Sequence, residues 1–235
     1  MAPVQRPQRV HAFVIEGGLT ATPHPTDVAR ALRRAVMARV QAVLEPRATL
    51  STFFTGHERD GSPAGMEHPH LTFAFDPGLG RLLILAPHVI DRHAPTHAEV
   101  VHLALLDEAL TNFTDLRAGS SGRLTVRATT IDAETDPLFA ASRTWESVTP
   151  YQVTRHAKRV GAADALSGDL RGECRRRGLP EPRVTSRDLF GAPGVGLTGT
   201  ARLAFTVAVS GPIVLGKSRH FGGGLFTGVT TPETQ

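Results

Sequence analysis

The amino-acid sequence predicts an α+β fold, and three observations lead to that prediction. The first is a series of strand, helix, two strands, helix and strand before residue 132, which is the order of the ferredoxin-like arrangement. The second is a further set of strand patterns around a single helix pattern in the rest of the chain. The third is a glycine-rich stretch, Gly211–Phe226, ahead of the last predicted strand.

The first series opens with a predicted strand over Arg9–Ile15. Apolar residues then recur at positions 28, 32, 36, 40 and 43, a helical spacing that predicts an amphipathic helix over Val28–Leu44. Thr26 is the predicted N-cap of this helix. The arginines on its remaining surface are interpreted as a solvated face: Arg30, Arg33, Arg34 and Arg39. The connection that follows, Glu45–Pro69, has the length typical of a functional loop or a disordered one.

The rest of the first series is predicted as a hairpin, a helix and a closing strand. Their ranges are His70–Asp76 with Arg81–Ala86, then Thr96–Phe113, then Gly122–Ile131. Thr96 and Glu99 have the spacing of a capping box, which places the start of the helix at Thr96. These elements complete one β-α-β-β-α-β unit.

A linker over Asp132–Ser142 leads to the second series. Its predicted elements are Glu146–Val153, Ala162–Arg177, Arg183–Leu189, Ala201–Val209 and Leu225–Val229. Only the second of these is a helix, so the residues indicate a second unit of the same kind that has lost its second helix or keeps a very short one. The alternation along Ala201–Val209 is that of a half-buried strand.

The composition is that of a globular protein, with 235 residues of which 40% are hydrophobic and 20% charged. A single cysteine, Cys174, excludes an internal disulfide and a cysteine-based zinc site. No apolar run approaches membrane-spanning length and no signal-peptide pattern opens the chain. We therefore expect a cytoplasmic protein without a membrane partner.

The net charge of +4 is unevenly distributed along the chain. Residues 1–150 contain 14 lysines and arginines against 16 acidic residues, whereas residues 151–235 contain 12 against 6. A basic C-terminal part favours a polyanionic partner.

The glycine-rich stretch, GPIVLGKSRHFGGGLF, contains three residues that can carry positive charge, Lys217, Arg219 and His220. Glycines permit positive φ and close approach of a ligand, and successive free N–H groups form an anion-binding concavity. Lysine and arginine suit phosphate. The spacing matches neither the dinucleotide fingerprint nor the Walker loop. A glycine-rich hairpin between two buried strands is the alternative interpretation.

His57 lies in the long connection, in the segment TGHERDG. Histidine titrates near neutral pH and can take or give a proton, so His57 is a candidate for acid–base chemistry. Arg59, two residues later, is a candidate for stabilising negative charge that develops beside it. A solvent-exposed loop histidine is the alternative.

His70 is the second catalytic candidate, as the partner acid. It belongs to one H-x-T element of the two-histidine phosphoesterases, but no second H-x-T element occurs in the chain. His57, His68 and His70 together suggest a metal site, although a convincing third or fourth ligand is absent. The remaining histidines near the second helix are interpreted as a polar face: His93, His97 and His102.

A second cationic cluster, Arg155, His156 and Lys158, follows the strand that contains Tyr151. These side chains either bind RNA phosphates or lie at a solvated strand end. Tyr151 and Trp145 either stack on a base or belong to the core. The run Arg175–Arg177 either contacts RNA or favours the helix dipole at its C-terminus.

Four segments carry a resemblance to a known family. They are the glycine-rich stretch, TGHERDGSPAGMEHPHLTF at Thr55–Phe73, WESVTPYQVTRHAKR at Trp145–Arg159 and RRRGLPEP at Arg175–Pro182. In these segments the chain resembles the CRISPR repeat-associated RNA-binding superfamily. Within it, the chain is most similar to the endoribonuclease part of the fused protein of type I-G systems.

The resemblance implies two tandem ferredoxin-like units, over residues 1–132 and 143–235, with a C-terminal glycine-rich loop. It implies a metal-independent endoribonuclease, without a cofactor, that cuts CRISPR repeat RNA and leaves 5′-hydroxyl and 2′,3′-cyclic phosphate ends. His57 corresponds in position to a catalytic histidine of the family, with His70 and Arg59 as its expected partners. The expected RNA-binding residues are Arg155, His156, Lys158, Gly216, Lys217, Arg219, His220, Gly222, Gly223 and Gly224.

Other classes of protein remain open at this point. One is a non-cleaving RNA-binding subunit of a type I CRISPR effector complex, and the enzyme itself is also expected to have such subunits as partners. Another is a metal-dependent phosphoesterase that uses His57, His68 and His70. The residues do not distinguish a free-standing protein from one half of a fusion.

Overall fold

The structure is a computed structural model and describes residues 9–45, 48–64, 69–154, 160–192 and 196–229. The chain divides into two compact units, Met1–Thr130 and Ile131–Gln235, each with its own hydrophobic core. Both units combine helices with antiparallel sheet, which confirms the predicted α+β class. In the described ranges, no helix combines the length and the apolar character needed to cross a membrane.

The first unit contains five strands and four helices among its described residues. The strands are β1 Val10–Leu19, β2 Thr72–Asp76, β3 Arg81–Leu85, β4 Asp115–Arg117 and β5 Gly122–Thr129. The helices are α1 Pro25–Val43, α2 Thr52–Thr55, α3 Pro87–Ile90 and α4 His97–Ala109. The strand order across the sheet is β2-β3-β1-β5-β4, and every neighbouring pair is antiparallel.

The predicted apolar stripe of α1 faces the core, where Val28, Leu32, Val36 and Val40 are fully buried. The predicted N-cap is wrong, because the helix begins at Pro25 with His24 as the N-cap residue. Proline is favoured at the first helical position, since its missing N–H has no partner within the helix. The capping box at the start of α4 is confirmed, with both of its hydrogen bonds present.

The second unit has six strands and one α-helix in its described residues. The strands are β6 Ala141–Ser147, β7 Tyr151–Gln152, β8 Arg183–Ala192, β9 Gly196–Ser210, β10 Ile213–Val214 and β11 Leu225–Gly228, and the helix is α5 Ala162–Arg176. The sheet has the order β10-β11-β6-β9-β7, and β8 also pairs with β9. Leu166, Leu170 and Cys174 of α5 pack in one core with Trp145 and Tyr151.

The predicted strand Glu146–Val153 differs from the observed one at both ends. Strand pairing with β9 begins at Ala141, so the end of the predicted linker is already sheet. The strand is then interrupted between β6 and β7 by Val148–Pro150. Here the N–H groups of Val148 and Thr149 donate to the carbonyl of Leu225, and Pro150 has no N–H to continue a ladder.

Candidate functional site

The single turn α2 places the candidate catalytic loop of the first unit. Ser51 is its N-cap and accepts a hydrogen bond from the Phe53 N–H, while Gly56 ends the turn in a left-handed conformation with φ of +64°. Phe53 and Phe54 are buried in the core. The long connection is therefore anchored immediately before His57, and the direction in which the chain leaves α2 is fixed.

Residues 57–64 form a short hydrogen-bonded loop. The Ala64 N–H donates to the Gly56 carbonyl, and His57 bridges to Pro63. A tight turn at its tip joins Glu58 to Gly61, which donates its N–H to the Glu58 carbonyl. Asp60 stabilises the turn by accepting from both the N–H and the hydroxyl of Ser62, which lowers the pKa of this carboxyl. Arg59 occupies the exposed turn position beside it.

The imidazole of His57 is held through its Nδ1 atom. Nδ1 lies 2.8 Å from the Thr55 carbonyl oxygen and 3.4 Å from an Nη2 atom of Arg33. A guanidinium nitrogen only donates, and 2.8 Å is a normal N–H···O distance whereas 3.4 Å is long, so the contact with the carbonyl decides the tautomer. The hydrogen bond to the carbonyl requires a proton on Nδ1, so in the neutral imidazole the lone pair lies on Nε2. His57 is exposed, and among the described residues no hydrogen-bond partner lies at Nε2.

His70 packs against the backbone of the residue that precedes His57. A Cβ atom built on Gly56 would lie 2.9 Å from Nε2 and from Cδ2 of the His70 ring. The chain is fixed there by the Leu71 N–H, which donates to the Phe53 carbonyl. The first unit thus places the ring of His70, on the approach to β2, beside Gly56 at the end of α2, which is the residue before His57. His68, the further residue of the predicted metal set, lies outside the described residues.

One histidine of the predicted polar face supports this region from α4. The His102 ring lies 5.1 Å from that of Phe53 and 5.5 Å from that of Phe54, and its Nε2 is 3.1 Å from the Ser51 hydroxyl. Burial lowers the pKa of His102. The described part of the chain contains no group of three or more histidine, cysteine or acidic side chains arranged to hold a metal ion.

In the second unit, the N–H groups of the glycine-rich loop are used within the protein. Those of Gly222, Gly223 and Gly224 donate to the carbonyls of Arg219, Ser218 and Pro150, respectively. The N–H of Gly216 donates to Oε2 of Glu173. These four glycines therefore hold the loop together and do not present the free N–H concavity that the sequence suggests.

Close packing explains why glycine occupies these positions. A Cβ on Gly216 would lie 2.6 Å from the Gln152 carbonyl oxygen, and one on Gly224 would lie 2.0 Å from that of Leu215. Both glycines also have positive φ, +94° and +64°. The loop is thus a turn packed closely against the strand that contains Tyr151, with no space for a side chain at Gly216 or Gly224.

The cationic side chains of this loop remain accessible. Lys217 is exposed, while its N–H is bonded to the Gln152 carbonyl. Arg219 and His220 form a short 3-10 turn with Phe221 and are half-buried, and Nε of Arg219 donates to Nε2 of His220 at 3.0 Å. The accessible groups of the loop are therefore side chains that can carry positive charge and not free glycine N–H groups.

The second cationic cluster, Arg155, His156 and Lys158, lies outside the described residues. The residues before it are held by Asp169 of α5, which accepts from the Tyr151 hydroxyl at 2.6 Å and from the Thr154 hydroxyl at 2.7 Å. Burial and this carboxylate raise the pKa of Tyr151. Tyr151 and Trp145 are both completely buried, so they are core residues and not base-stacking platforms.

Glu173, one turn further along α5, connects the helix to the glycine-rich loop. Oε1 accepts from Arg176 at 2.6 Å, and Oε2 accepts from Arg177 at 3.2 Å and from the Gly216 N–H at 3.1 Å. Burial alone would raise the pKa of Glu173, but these three donors together lower it. Two arginines of the predicted Arg175–Arg177 run are therefore engaged by Glu173, and Arg175 is exposed.

Three residues with a part in these sites were missed by the sequence reasoning: Arg33, Asp169 and Glu173. Arg33 is half-buried and donates to the Thr55 carbonyl, so it does not belong to a merely solvated face. Its position next to the stripe residue Leu32 is the only signal in the sequence. Asp169 and Glu173 are spaced i, i+4 and each precedes a buried residue of α5, a pattern that places two carboxylates at the edge of the buried face.

Comparison of the chain with known protein families and with curated proteins finds no match.

Proposed function

We propose that the chain is a metal-independent endoribonuclease that binds CRISPR repeat RNA and cleaves the precursor to mature guide RNA. The observation that carries this proposal is that the ring of His70 packs against Gly56, the residue before His57, whose Nδ1 is bonded to a carbonyl so that Nε2 is left for proton transfer. Two histidines on neighbouring segments of one unit can supply the base and the acid that metal-free cleavage of RNA requires. The cationic glycine-rich loop supplies a surface for the phosphate backbone.

The proposal includes two tandem ferredoxin-like units. In the first unit, without the short edge strand β4, the order across the sheet is β2-β3-β1-β5. Counted along the chain, these are the second, third, first and fourth strands of the ferredoxin-like arrangement, and the helices α1 and α4 lie in the two connections between them. In the second unit β8, β9, β6 and β11 follow the same order, with α5 as the first connection. In chain order, the glycine-rich loop lies between β9 and β11, where a ferredoxin-like unit has its second helix.

In the proposed mechanism, Nε2 of His57 takes the proton from the ribose 2′-OH. The 2′-oxygen attacks the adjacent phosphorus, the bond from phosphorus to the 5′-oxygen breaks, and protonated His70 gives its proton to that leaving oxygen. The products are a 2′,3′-cyclic phosphate and a 5′-hydroxyl. Arg59, on the exposed turn, is the cation proposed to stabilise the charge that develops on the phosphorane. Lys217, Arg219 and His220 hold the RNA backbone.

The proposal is tested by incubating the protein with end-labelled repeat RNA in EDTA. We expect one cut, with His57→Ala and His70→Ala each lowering the rate by about 100-fold or more, while RNA binding persists. Binding of the repeat without cutting would instead indicate a non-cleaving RNA-binding subunit of a CRISPR effector complex. Activity that EDTA abolishes would indicate a metal-dependent phosphoesterase. Copurification with other effector subunits would test the proposed partners.

A further inference from the structure

Arg33 connects helix α1 to the candidate base. Its Nη2 donates to the Thr55 carbonyl oxygen, the same atom to which His57 Nδ1 donates, and lies 3.4 Å from Nδ1 itself. One carbonyl thus receives hydrogen bonds from two side chains on different elements. Arg33 is half-buried, and burial lowers the pKa of its guanidinium without removing its charge at neutral pH.

The Thr55 carbonyl lies at the C-terminal end of a helix of only four residues. Such a short helix has little stability of its own, because nucleation is costly and few of its hydrogen bonds are internal. A charged donor from α1, a 19-residue helix anchored in the core, fixes the direction of that carbonyl. The carbonyl in turn fixes the Nδ1–H tautomer and the orientation of the His57 ring, as carbonyl partners do for functional histidines elsewhere.

We infer that Arg33 is a positioning residue for His57: it holds the Thr55 carbonyl so that Nδ1 is protonated and Nε2 faces outward as the base. The expected effect of Arg33 on the cleavage rate rests on the proposed function, whereas its effect on the tautomer of His57 does not. The proposed role of Arg33 differs from that of Arg59, which lies on an exposed turn and is proposed to act on the RNA itself. No such role is proposed for Arg34, the exposed neighbour of Arg33 on the same helix.

The test compares Arg33→Ala, Arg33→Gln and Arg33→Lys with Arg34→Ala in the full chain. Single-turnover cleavage and the Kd for repeat RNA are measured together, and the tautomer of His57 is read from long-range ¹⁵N–¹H correlation spectra, with His57→Gln used to assign its signals. We expect Arg33→Ala to cleave about 10- to 100-fold more slowly, with a nearly unchanged Kd and loss of the dominant Nδ1–H tautomer. Arg34→Ala should change neither the rate nor the tautomer.

Arg33→Lys should recover part of the rate, since an ammonium can still donate to the carbonyl but lacks the planar fork. Arg33→Gln keeps a neutral donor and provides the test should Arg33→Ala fail to fold. A raised Kd with an unchanged tautomer would mean that Arg33 binds RNA directly, and would overturn the inference. If the wild-type protein cuts no RNA, the proposed function fails, yet the tautomer comparison still decides the role of Arg33.

Discussion

Gly56 separates the backbone of His57 from the ring of His70, and two properties exclude a side chain there. Its φ is +64°, and an added Cβ would lie 2.9 Å from two atoms of the His70 ring. We expect Gly56→Ala to cost about 1–2 kcal/mol for the left-handed backbone and, in addition, to displace His70. Cleavage of repeat RNA should therefore fall sharply, with RNA binding largely retained.

Gly61 in the same loop provides the matched control for Gly56. Its φ is +83°, but no heavy atom lies within 4 Å of an added Cβ. Gly61→Ala should thus have a similar cost in stability without moving His70. Thermal unfolding and single-turnover cleavage of both variants separate the two effects. Equal losses of activity would show that the packing of the His70 ring on Gly56 adds nothing to the effect of backbone strain in this loop.

The half-buried histidine that contacts α2, His102, predicts how stability depends on pH. Burial lowers the pKa of His102 in the folded state, whereas in the unfolded chain it titrates near 6.5. As pH falls below 6.5, the unfolded state binds a proton that the folded state does not, so the free energy of unfolding decreases. His102→Gln cannot titrate but can still bond the Ser51 hydroxyl. We expect this variant to lose less stability than the wild type between about pH 7.5 and pH 5.5, as measured by denaturant unfolding. An identical loss would contradict the assignment.

At the scale of elements, α5 organises the second unit through its two carboxylates. Glu173→Ala would remove the carboxylate that contacts the buried Arg177 guanidinium and accepts from the Gly216 N–H. The side chains of Glu173 and Arg177 are only 6% and 7% exposed, so solvent cannot replace the lost partner. We expect the free energy of unfolding to fall by about 3–5 kcal/mol, measured by denaturant titration.

Glu181→Ala is the control for that variant. Glu181 forms an ion pair with Arg171 at 4.0 Å, but both side chains are largely exposed. Such pairs contribute about 0–1 kcal/mol. A comparable effect of the two substitutions would show that Glu173 does not bind the loop to α5 as described.

Where local patterns decide an element, the sequence was sufficient to predict it. The stripe of α1 and the capping box of α4 are present in the structure, and the alternation of β9 holds at Leu203, Phe205 and Val209 but not at Val207, which is 52% exposed. The break between β6 and β7 was not predicted, because it depends on the carbonyl of Leu225, more than 70 residues away, accepting from Val148 and Thr149. The N-cap of α1 was misplaced because Pro25 starts the helix earlier than the apolar stripe does.

The candidate site was predictable only in part, for the same reason. His57 and His70 could be named from their residue types and the family resemblance, but their proximity depends on the turn at Gly56. The role of the Thr55 carbonyl has no signature in the sequence, and the position of Arg33 beside Leu32 indicates partial burial but not a contact with that carbonyl. The glycines of the C-terminal loop were interpreted as a backbone open to an anionic ligand, whereas Gly216 and Gly224 pack against Tyr151 and Leu215.

At the scale of the whole molecule, charge is the property that bears on an RNA partner. Divided at residue 130, the first unit has 13 lysines and arginines against 12 acidic residues and the second has 13 against 10, so neither unit is strongly basic as a whole. The excess of positive charge lies after residue 150. Binding of RNA is therefore expected to depend on a few local cations and not on the net charge of a domain.

This expectation is tested by the salt dependence of RNA binding. Each phosphate contact of a single strand contributes about 0.7 to the slope of log Kd against log salt. Lys217→Ala and Arg219→Ala should each lower that slope by about this amount, and weaken binding similarly for different RNA sequences. Arg123→Ala is the control, because Arg123 is an exposed arginine of the first unit that is paired with Asp115 at 3.1 Å. If Lys217→Ala and Arg219→Ala keep the wild-type slope, as Arg123→Ala is expected to do, the glycine-rich loop does not contact the RNA backbone. The excess of positive charge after residue 150 would then act through other residues.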